Sequence, residues 1–155
     1  MIQLKRTDSG NPDFQNLVAE LDKDLRIRDG DDHAFFAQFN KIDMIRHVVM
    51  AYDGDEPIGC GAIKPYDEVT MEVKRMFVPP VHRGKGIAVR VLSELENWCK
   101  ELNYTRCILE TGVKQPEAIA LYKKCNYFRI PNYGQYADVV ESVCFEKTLK
   151  ASQQQ

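Results

Sequence analysis

The stretch 76–88 constrains the fold of this chain more than any other. An apolar, β-prone run ends at Pro79 and Pro80, which cannot continue a hydrogen-bonded ladder. A turn with two glycines follows, and apolar residues then recur every three or four positions, which is typical of an amphipathic helix. That helical face consists of Ala88, Val91, Leu92, Leu95, Trp98, Cys99 and Leu102. The sequence therefore predicts a strand, a glycine turn and a long helix in direct succession.

The turn itself has the composition of an anion site. Gly84 and Gly86 have no Cβ, so the backbone can approach a bulky anion closely. The free N–H groups of the first helical turn then point at that anion, and Arg83 and Lys85 add positive charge. A diphosphate fits such a site, although these four residues alone are also compatible with an empty turn. Other phosphate motifs fail on spacing: Val89 stands where a dinucleotide fingerprint needs a third glycine, and no Ser or Thr follows Lys85 as in a P-loop.

The remaining elements follow from periodicity and turn residues. Asn11-Pro12-Asp13 predicts a helix start, and apolar spacing carries that helix to Leu25. Residues 26–32 form a charged loop, and further helices are predicted at 33–40, 88–102 and 116–125, the last ended by Asn126. Strands are predicted at 2–6, 47–52, 57–63, 68–78, 106–110, 128–130 and 142–148. This order indicates an α+β fold, with a mixed, mostly antiparallel central sheet and helices on both faces.

Composition sets the broad class. The 155 residues suit one domain over 1–150, and the last five residues are predicted to be a disordered tail. A net charge of −2 gives no electrostatic reason to expect nucleic acid or an anionic membrane as partner. No apolar run approaches the roughly 20 residues that span a bilayer, and the N-terminus lacks the apolar stretch of a signal peptide. We therefore expect a cytoplasmic protein; the oligomeric state stays open, a homodimer included.

The five cysteines predict neither disulfides nor a metal site. Their number is odd, no CxxC pair occurs, and no cysteine lies beside a histidine at metal-ligand spacing. His33, His47 and His82 also lack such spacing, and His82 is predicted to lie at the rim of the anion site. We expect reduced, largely buried thiols and no metal, and we regard a covalent cysteine route as the weaker alternative.

Three segments together resemble the GNAT superfamily of acyl-CoA N-acyltransferases. Arg83-x-x-Gly86-x-Ala88, after a Val-x-Pro strand end, resembles the pyrophosphate motif of that family. Residues 116–128 resemble its second cofactor helix, and 71–78 resemble the strand that lines the acyl-CoA cleft. The resemblance covers 68–128, whereas residues 1–67 fit by element order only. It extends to small, uncharacterised bacterial acetyltransferases and makes the empty turn the weaker alternative.

The resemblance implies acetyl-CoA as co-substrate, with the diphosphate at the glycine turn and strand-like main-chain bonds to the pantetheine. There are two departures from the family pattern. Asn126 replaces a glycine but tolerates the same backbone conformation, and Gln115 stands where many members have an asparagine. The implied cofactor-binding residues are Met76, Phe77, Val78, Arg83, Gly84, Lys85, Gly86, Ile87, Ala88, Gln115 and Tyr122.

Two residues are predicted to be catalytic. Glu72 lies on the cleft strand where some family members carry their catalytic glutamate, and it could remove the proton of an amine directly or through water. Period-two alternation places Glu72, Lys74, Met76 and Val78 on one face of that strand. Alternatively, Glu72 is an exposed surface residue or is paired with Lys74. In that case Glu110 or a water chain would be the base.

Tyr122 matches the tyrosine that, by resemblance, protonates the departing CoA sulfur, although helical tyrosines are more often half-buried core residues. An N–H at or near Val78 would polarise the thioester carbonyl. The resemblance thus implies an acetyl-CoA-dependent N-acetyltransferase that acts by direct attack on the thioester in a ternary complex.

The acceptor is predicted to be the primary amine of a small metabolite. The charged loop (residues 26–32) and the segment 131–136 are expected to bind the acceptor. The alternative in each case is a solvated loop without a ligand. The substrate-binding candidates are Arg26, Arg28, Glu110, Tyr133 and Tyr136. Two other functions stay open: a protein lysine or N-terminal acetyltransferase, and a CoA-binding module of the same fold without turnover.

Overall fold

The computed structural model describes residues 1–29 and 44–150. Within them, seven strands form one sheet in the order β1-β2-β3-β4-β5-β7-β6. The strands are β1 (Ile2–Thr7), β2 (His47–Asp53), β3 (Glu56–Pro65), β4 (Thr70–Phe77), β5 (Arg106–Gly112), β6 (Phe128–Ile130) and β7 (Ser142–Thr148). The helices are α1 (Pro12–Asp29), α2 (Ile87–Glu101) and α3 (Pro116–Lys124), with short 3₁₀ turns at Pro80–His82 and Gly134–Tyr136.

Two apolar clusters cover the two faces of this sheet. Phe14, Leu17 and Val18 of α1 pack on one face. Val91, Leu92 and Leu95 of α2 pack on the other, where they meet residues of α3. Every pair of neighbouring strands is antiparallel except β4 and β5. The predicted α+β fold, with helices on both faces of a mostly antiparallel sheet, is confirmed.

Helix α1 begins as predicted but ends later. Asn11 caps its N-terminus, since its Oδ1 accepts a hydrogen bond of 3.0 Å from the N–H of Phe14. The helix continues to Asp29, so the prediction that 26–29 belong to a loop is wrong. Arginine has a high helix propensity, and no glycine or proline occurs between Leu25 and Gly30, which explains why the helix continues past Leu25. The helix predicted at 33–40 lies outside the described residues.

Two glycines of β3 let α2 lie directly on the sheet. A Cβ at Gly59 would come within 2.8 Å of Ile87 Cγ2. A Cβ at Gly61 would come within 2.9 Å of both Val91 Cγ1 and Leu95 Cδ1. The close contact at Gly59 fixes the position of the first turn of α2. It thereby also fixes the position of the glycine turn that precedes this helix.

The parallel pair β4 and β5 opens a wedge in the middle of the sheet. The two strands pair only over Thr70–Glu72 and Arg106–Ile108, and their later residues have no register with one another. From that point β4 follows β3 and β5 follows β7. The main-chain groups of β4 that face the wedge are therefore available to a ligand that binds like an added strand.

A bulge interrupts β4 inside this wedge. The register between β3 and β4 passes from Ala62↔Lys74 to Cys60↔Phe77, so β4 contains one extra residue. The extra residue is Arg75, which has a φ of 59°, the left-handed region that non-glycine residues rarely adopt.

The bulge changes which side chains share a face. Met71 and Val73 pack in the apolar cluster on the face of the sheet that α2 covers. Because side chains alternate along a strand, Glu72 and Lys74 face α1. Past the bulge, Met76 lies against Gly61 on the α2 face. The prediction that Glu72, Lys74, Met76 and Val78 lie on one face is therefore wrong, because strict alternation ends at Arg75.

Candidate active site

The glycine turn presents free main-chain donors. Gly84 and Gly86 have φ values of 81° and 77°, and within residues 1–29 and 44–150 a Cβ built at either position has no heavy atom within 4 Å apart from its chain neighbours. Gly86 is the N-cap residue of α2, and no side chain of the described residues caps this helix end. The first N–H groups of α2 lack helical partners, so they are available to an anion together with the positive end of the helix dipole.

Side chains before the turn fix its shape. Nε of Arg83 donates a hydrogen bond of 2.7 Å to the carbonyl oxygen of Val78, and the guanidinium lies 5.8 Å from the centre of the Phe77 ring. Nε2 of His82 lies 3.0 Å from a carboxylate oxygen of Glu56. These contacts connect the turn to the end of β4 and to the start of β3.

A cleft of about 290 Å³ extends from the turn to α3. His82, predicted at the rim of the anion site, is part of its lining. Lys85 is exposed and lies outside the lining. The other predicted cofactor-binding residues all line it: Met76, Phe77, Val78, Arg83, Gly84, Gly86, Ile87, Ala88, Gln115 and Tyr122.

Tyr122 lies deep in this cleft. It is 6% exposed and packs edge-on against Tyr127, with a centroid distance of 5.8 Å. Asn126, with a φ of 72°, ends the helix in the predicted left-handed conformation. Burial raises the pKa of the Tyr122 hydroxyl above its usual value, so the hydroxyl remains protonated at neutral pH.

A second, smaller cleft of about 100 Å³ lies next to the first. It is bounded by β4, by the end of β5, and by Leu21 and Leu25 of α1. Its charged lining residues are Glu72, Lys74, Arg75 and Glu110. Residues shared by the two clefts show that they meet at the wedge: Leu21, Met76, Gln115, Ala118 and Tyr122.

Glu72 is a buried carboxylate with a fixed position. It is 8% exposed, so the alternative of an exposed glutamate is wrong. The hydroxyl of Tyr133 donates a hydrogen bond of 2.6 Å to its Oε2, and Lys74 Nζ lies 4.0 Å from the same oxygen. Burial, followed by the neighbouring Glu72 carboxylate, raises the pKa of Tyr133, which keeps that hydroxyl a donor.

Lys74 and Glu110 complete the charged lining. Lys74 Nζ donates to the hydroxyl of Tyr136 over 3.4 Å, and Ser142 Oγ donates to Glu110 Oε2 over 2.7 Å. Burial lowers the pKa of Lys74, while the two carboxylates Glu72 and Glu110 oppose that shift. The small cleft thus has side-chain charges of both signs in its lining.

The substrate-binding candidates are only partly brought together. Glu110 lines the small cleft, and Tyr133 and Tyr136 contact Glu72 and Lys74. Arg26 is exposed on α1 and lines neither cleft, and nothing of the Arg28 side chain is described.

The small cleft is also lined by residues that were not among the predicted site residues, including Arg75, Leu21 and Leu25. The signal for Leu21 and Leu25 was present, since both belong to the apolar stripe of α1. Simple alternation places Arg75 on the opposite face, so its position depends on the bulge.

Two of the cysteines, Cys60 and Cys144, lack the properties of a nucleophile. All five cysteines are free. Burial raises the pKa of Cys60 to about 12 and that of Cys144, which pairs with Glu110 across β5 and β7, to about 11. Since the thiolate is the reactive form, burial disfavours these two thiols as nucleophiles.

Comparison with known proteins identifies the family. A sequence profile of the acetyltransferase (GNAT) family matches residues 12–127. The IAA acetyltransferase of Azospirillum brasilense is 40% identical over 93 residues, which cover 59% of this chain and 61% of that protein. The uncharacterised N-acetyltransferase YsnE of Bacillus subtilis is 33% identical over 101 residues, covering 64% of this chain and 67% of that protein. The match spans 39% of a further relative, the probable N-acetyltransferase 14 of Xenopus tropicalis.

The fold leads to the same class. A Klebsiella pneumoniae protein described as an acyl-CoA N-acyltransferase superposes with a TM-score of 0.80 at 28% identity, over 97% of this chain and 99% of its own. The PaiA N-acetyltransferase of Thermoplasma acidophilum, solved with coenzyme A, shares the fold with a TM-score of 0.70 at 15% identity, over 96% and 99% of the two chains. The fold and the family profile thus agree. The chain belongs to the acetyltransferase (GNAT) family.

No helix among the described residues combines the length and the hydropathy needed to cross a bilayer.

Proposed function

We propose that the protein is an N-acetyltransferase that transfers the acetyl group of acetyl-CoA to the primary amine of a small molecule, by direct attack in a ternary complex. The observation that carries this proposal is the meeting of the two clefts at the sheet wedge. One cleft ends at a glycine turn with free N–H donors, and the other contains a buried carboxylate. The family supplies the reaction class, and the two clefts supply separate places for donor and acceptor.

The larger cleft suits the donor. The N–H groups of the first turn of α2 would bind the diphosphate, and exposed Lys85 would add charge at the mouth of the site. The unpaired edge of β4 at Met76 and Phe77 would bind the pantetheine amides in the manner of a neighbouring strand. Gln115, at the start of α3, lies where the two clefts join and would contact the pantetheine there.

The reaction needs a proton acceptor for the amine. An alkylammonium has a pKa of roughly 10.4, so at neutral pH nearly all of the amine is in this protonated, unreactive form. We assign the role of proton acceptor to Glu72, which would act directly or through one water. Its carboxylate lines the small cleft and receives a hydrogen bond from Tyr133. Glu110 is the second candidate, since its carboxylate lines the same cleft and receives a hydrogen bond from Ser142.

The reaction also needs a proton donor for the leaving group. The amine nitrogen forms a bond to the thioester carbon, the C–S bond breaks, and the sulfur departs with the electron pair. We assign its protonation to the Tyr122 hydroxyl, which stays protonated at neutral pH and lies where the two clefts meet. An N–H near the end of β4 would stabilise the negative charge on the carbonyl oxygen during attack.

A thiol-release assay tests this function. Acetyl-CoA is incubated with the protein and a panel of amino acids, polyamines, aminoglycosides and lysine-bearing peptides, and free CoA is measured. We expect release that depends on one class of small amine. Release with peptides alone would favour the protein acetyltransferase. Binding of acetyl-CoA without amine-dependent release would favour the module without turnover.

The same assay distinguishes the two candidate bases. Glu72→Gln keeps the shape of the side chain and its contact with Tyr133 but cannot accept a proton. We expect kcat to fall by about 10²-fold or more, the usual contribution of a general base. Glu110→Gln is the matched comparison because it lines the same cleft, and we expect it to retain more activity. A larger loss in Glu110→Gln would assign the base to Glu110 instead.

A further inference from the structure

The small cleft contains a cation that its protein neighbours do not fully satisfy. Arg75 lines this cleft and is only 7% exposed. Its Nη1 contacts Asp22 Oδ1 of α1 at 3.0 Å, but its Nη2 is buried and has no hydrogen-bond partner among residues 1–29 and 44–150. A buried, unpaired donor on a charged group costs free energy, and the cost is recovered when a ligand supplies the missing acceptor.

The backbone that places this guanidinium is itself unfavourable. Arg75 holds a φ of 59°, in the left-handed region that is strained for a residue with a Cβ. The bulge brings the side chain to the α1 face, where it joins Lys74 in the lining of the cleft. Backbone strain of this kind is concentrated at ligand-binding sites.

Lys74 provides a second positive charge with incomplete compensation. Its Nζ lies 4.0 Å from Glu72 Oε2, the limit of an ion pair, and contacts the neutral hydroxyl of Tyr136 at 3.4 Å. The carboxylates of the cleft have other donors, since Tyr133 binds Glu72 and Ser142 binds Glu110. Two cations and two carboxylates in one cleft match a molecule that itself carries charges of both signs.

We propose that the small cleft takes an acceptor that carries a carboxylate as well as an amine, an amino acid or a close analogue, with Arg75 and Lys74 as the cations that bind the carboxylate. The inference rests on the proposed function, in which this cleft holds the acceptor. The acid group of the acceptor would receive a hydrogen bond from the guanidinium of Arg75, which is suited to planar carboxylates. Its amine would then lie on the side of Glu72 and Glu110.

The first experiment uses the unmodified protein. Thiol release from acetyl-CoA is measured with pairs of amines that differ only in the acid group: an amino acid and its carboxamide, at short and long spacings between amine and acid. A hydrogen bond to a charged group is worth about 10-fold to 100-fold in affinity, so we expect kcat/KM to favour the acid of the preferred pair by about that factor. Equal values for acid and carboxamide in every pair would overturn the inference and leave the proposed function standing. Absence of release with any amine would contradict the proposed function, and the inference would fail with it.

The second experiment tests the assigned cation. In Arg75→Gln we expect KM for the acid to rise about 10-fold or more, the loss expected for a charged hydrogen bond, while KM for the carboxamide and for acetyl-CoA stays the same. The control is Asp22→Asn, which removes the partner of Nη1 but retains the guanidinium, and we expect it to keep the preference for the acid. Equal losses for acid and carboxamide in Arg75→Gln would show that Arg75 only anchors α1 to β4. If Arg75→Gln does not fold, Lys74→Gln is measured in the same way. A rise in KM for the acid alone would support the inference, and equal losses for acid and carboxamide would overturn it.

Discussion

The hydroxyl group of Tyr122 can be removed while its aromatic ring is kept. The proposed proton transfer can therefore be tested separately from the packing of the ring in the core. Tyr122→Phe removes the hydroxyl and keeps the ring that packs on Tyr127. We expect kcat to fall by about 10²-fold, the usual contribution of a general acid, with KM for acetyl-CoA little changed. Steady-state thiol release with saturating amine measures both quantities.

Tyr127→Phe is the matched control at the residue scale. Its hydroxyl is also buried, but it donates to Glu96 Oε2 at 2.9 Å, away from both clefts. We expect this change to lower the free energy of unfolding by about 1–3 kcal/mol, because a buried carboxylate loses a donor, and to leave kcat intact. If both variants keep full kcat, Tyr122 is only a core residue and the proposed proton donor is wrong.

The elements around the wedge depend on the close contact between β3 and α2. In Gly61→Ala the new methyl group would lie 2.9 Å from Val91 and Leu95, in a part of the core without spare volume. We expect a loss of about 1–3 kcal/mol in the free energy of unfolding, typical of overpacking. Chemical denaturation measures this loss.

Gly112→Ala is the matched control for this contact. Gly112 also lies in a strand, but the nearest atom to its added Cβ is 3.5 Å away. We expect a change within about 0.5 kcal/mol. Equal effects of the two substitutions would contradict the idea that the glycine at position 61 is required for α2 to lie on the sheet.

Local signals carried most of the element predictions. The glycine turn, the hairpin between β2 and β3, and the stripe of α2 are set by residues adjacent in the chain, and the structure contains all three. The order β5-β7-β6 and the bulge at Arg75 depend on pairings between distant strands, which periodicity cannot reveal. The candidate site was therefore predictable along β4, the turn and α3. The Arg75 side of the small cleft was not.

Across the whole molecule, the wedge makes one sheet serve two clefts. The strands that diverge after Glu72 and Ile108 open a passage between the face of α1 and the face of α2. In the proposed function, acetyl-CoA and the amine would occupy these two clefts, which share Tyr122 in their lining. A gap set by strand pairing would then hold the reacting groups in a defined geometry.

The most direct test of this account is a calorimetric titration of acetyl-CoA into the unmodified protein and two glycine variants. Gly86→Glu places a carboxylate where the diphosphate would bind. Gly54→Glu is the control, since Gly54 also has a positive φ of 62° with open space around it but lies outside both clefts. We expect binding to the unmodified protein and to Gly54→Glu, and a loss of affinity of at least about 10-fold in Gly86→Glu, because a like charge disfavours an anion. No binding to the unmodified protein, or equal affinity in Gly86→Glu, would contradict the account.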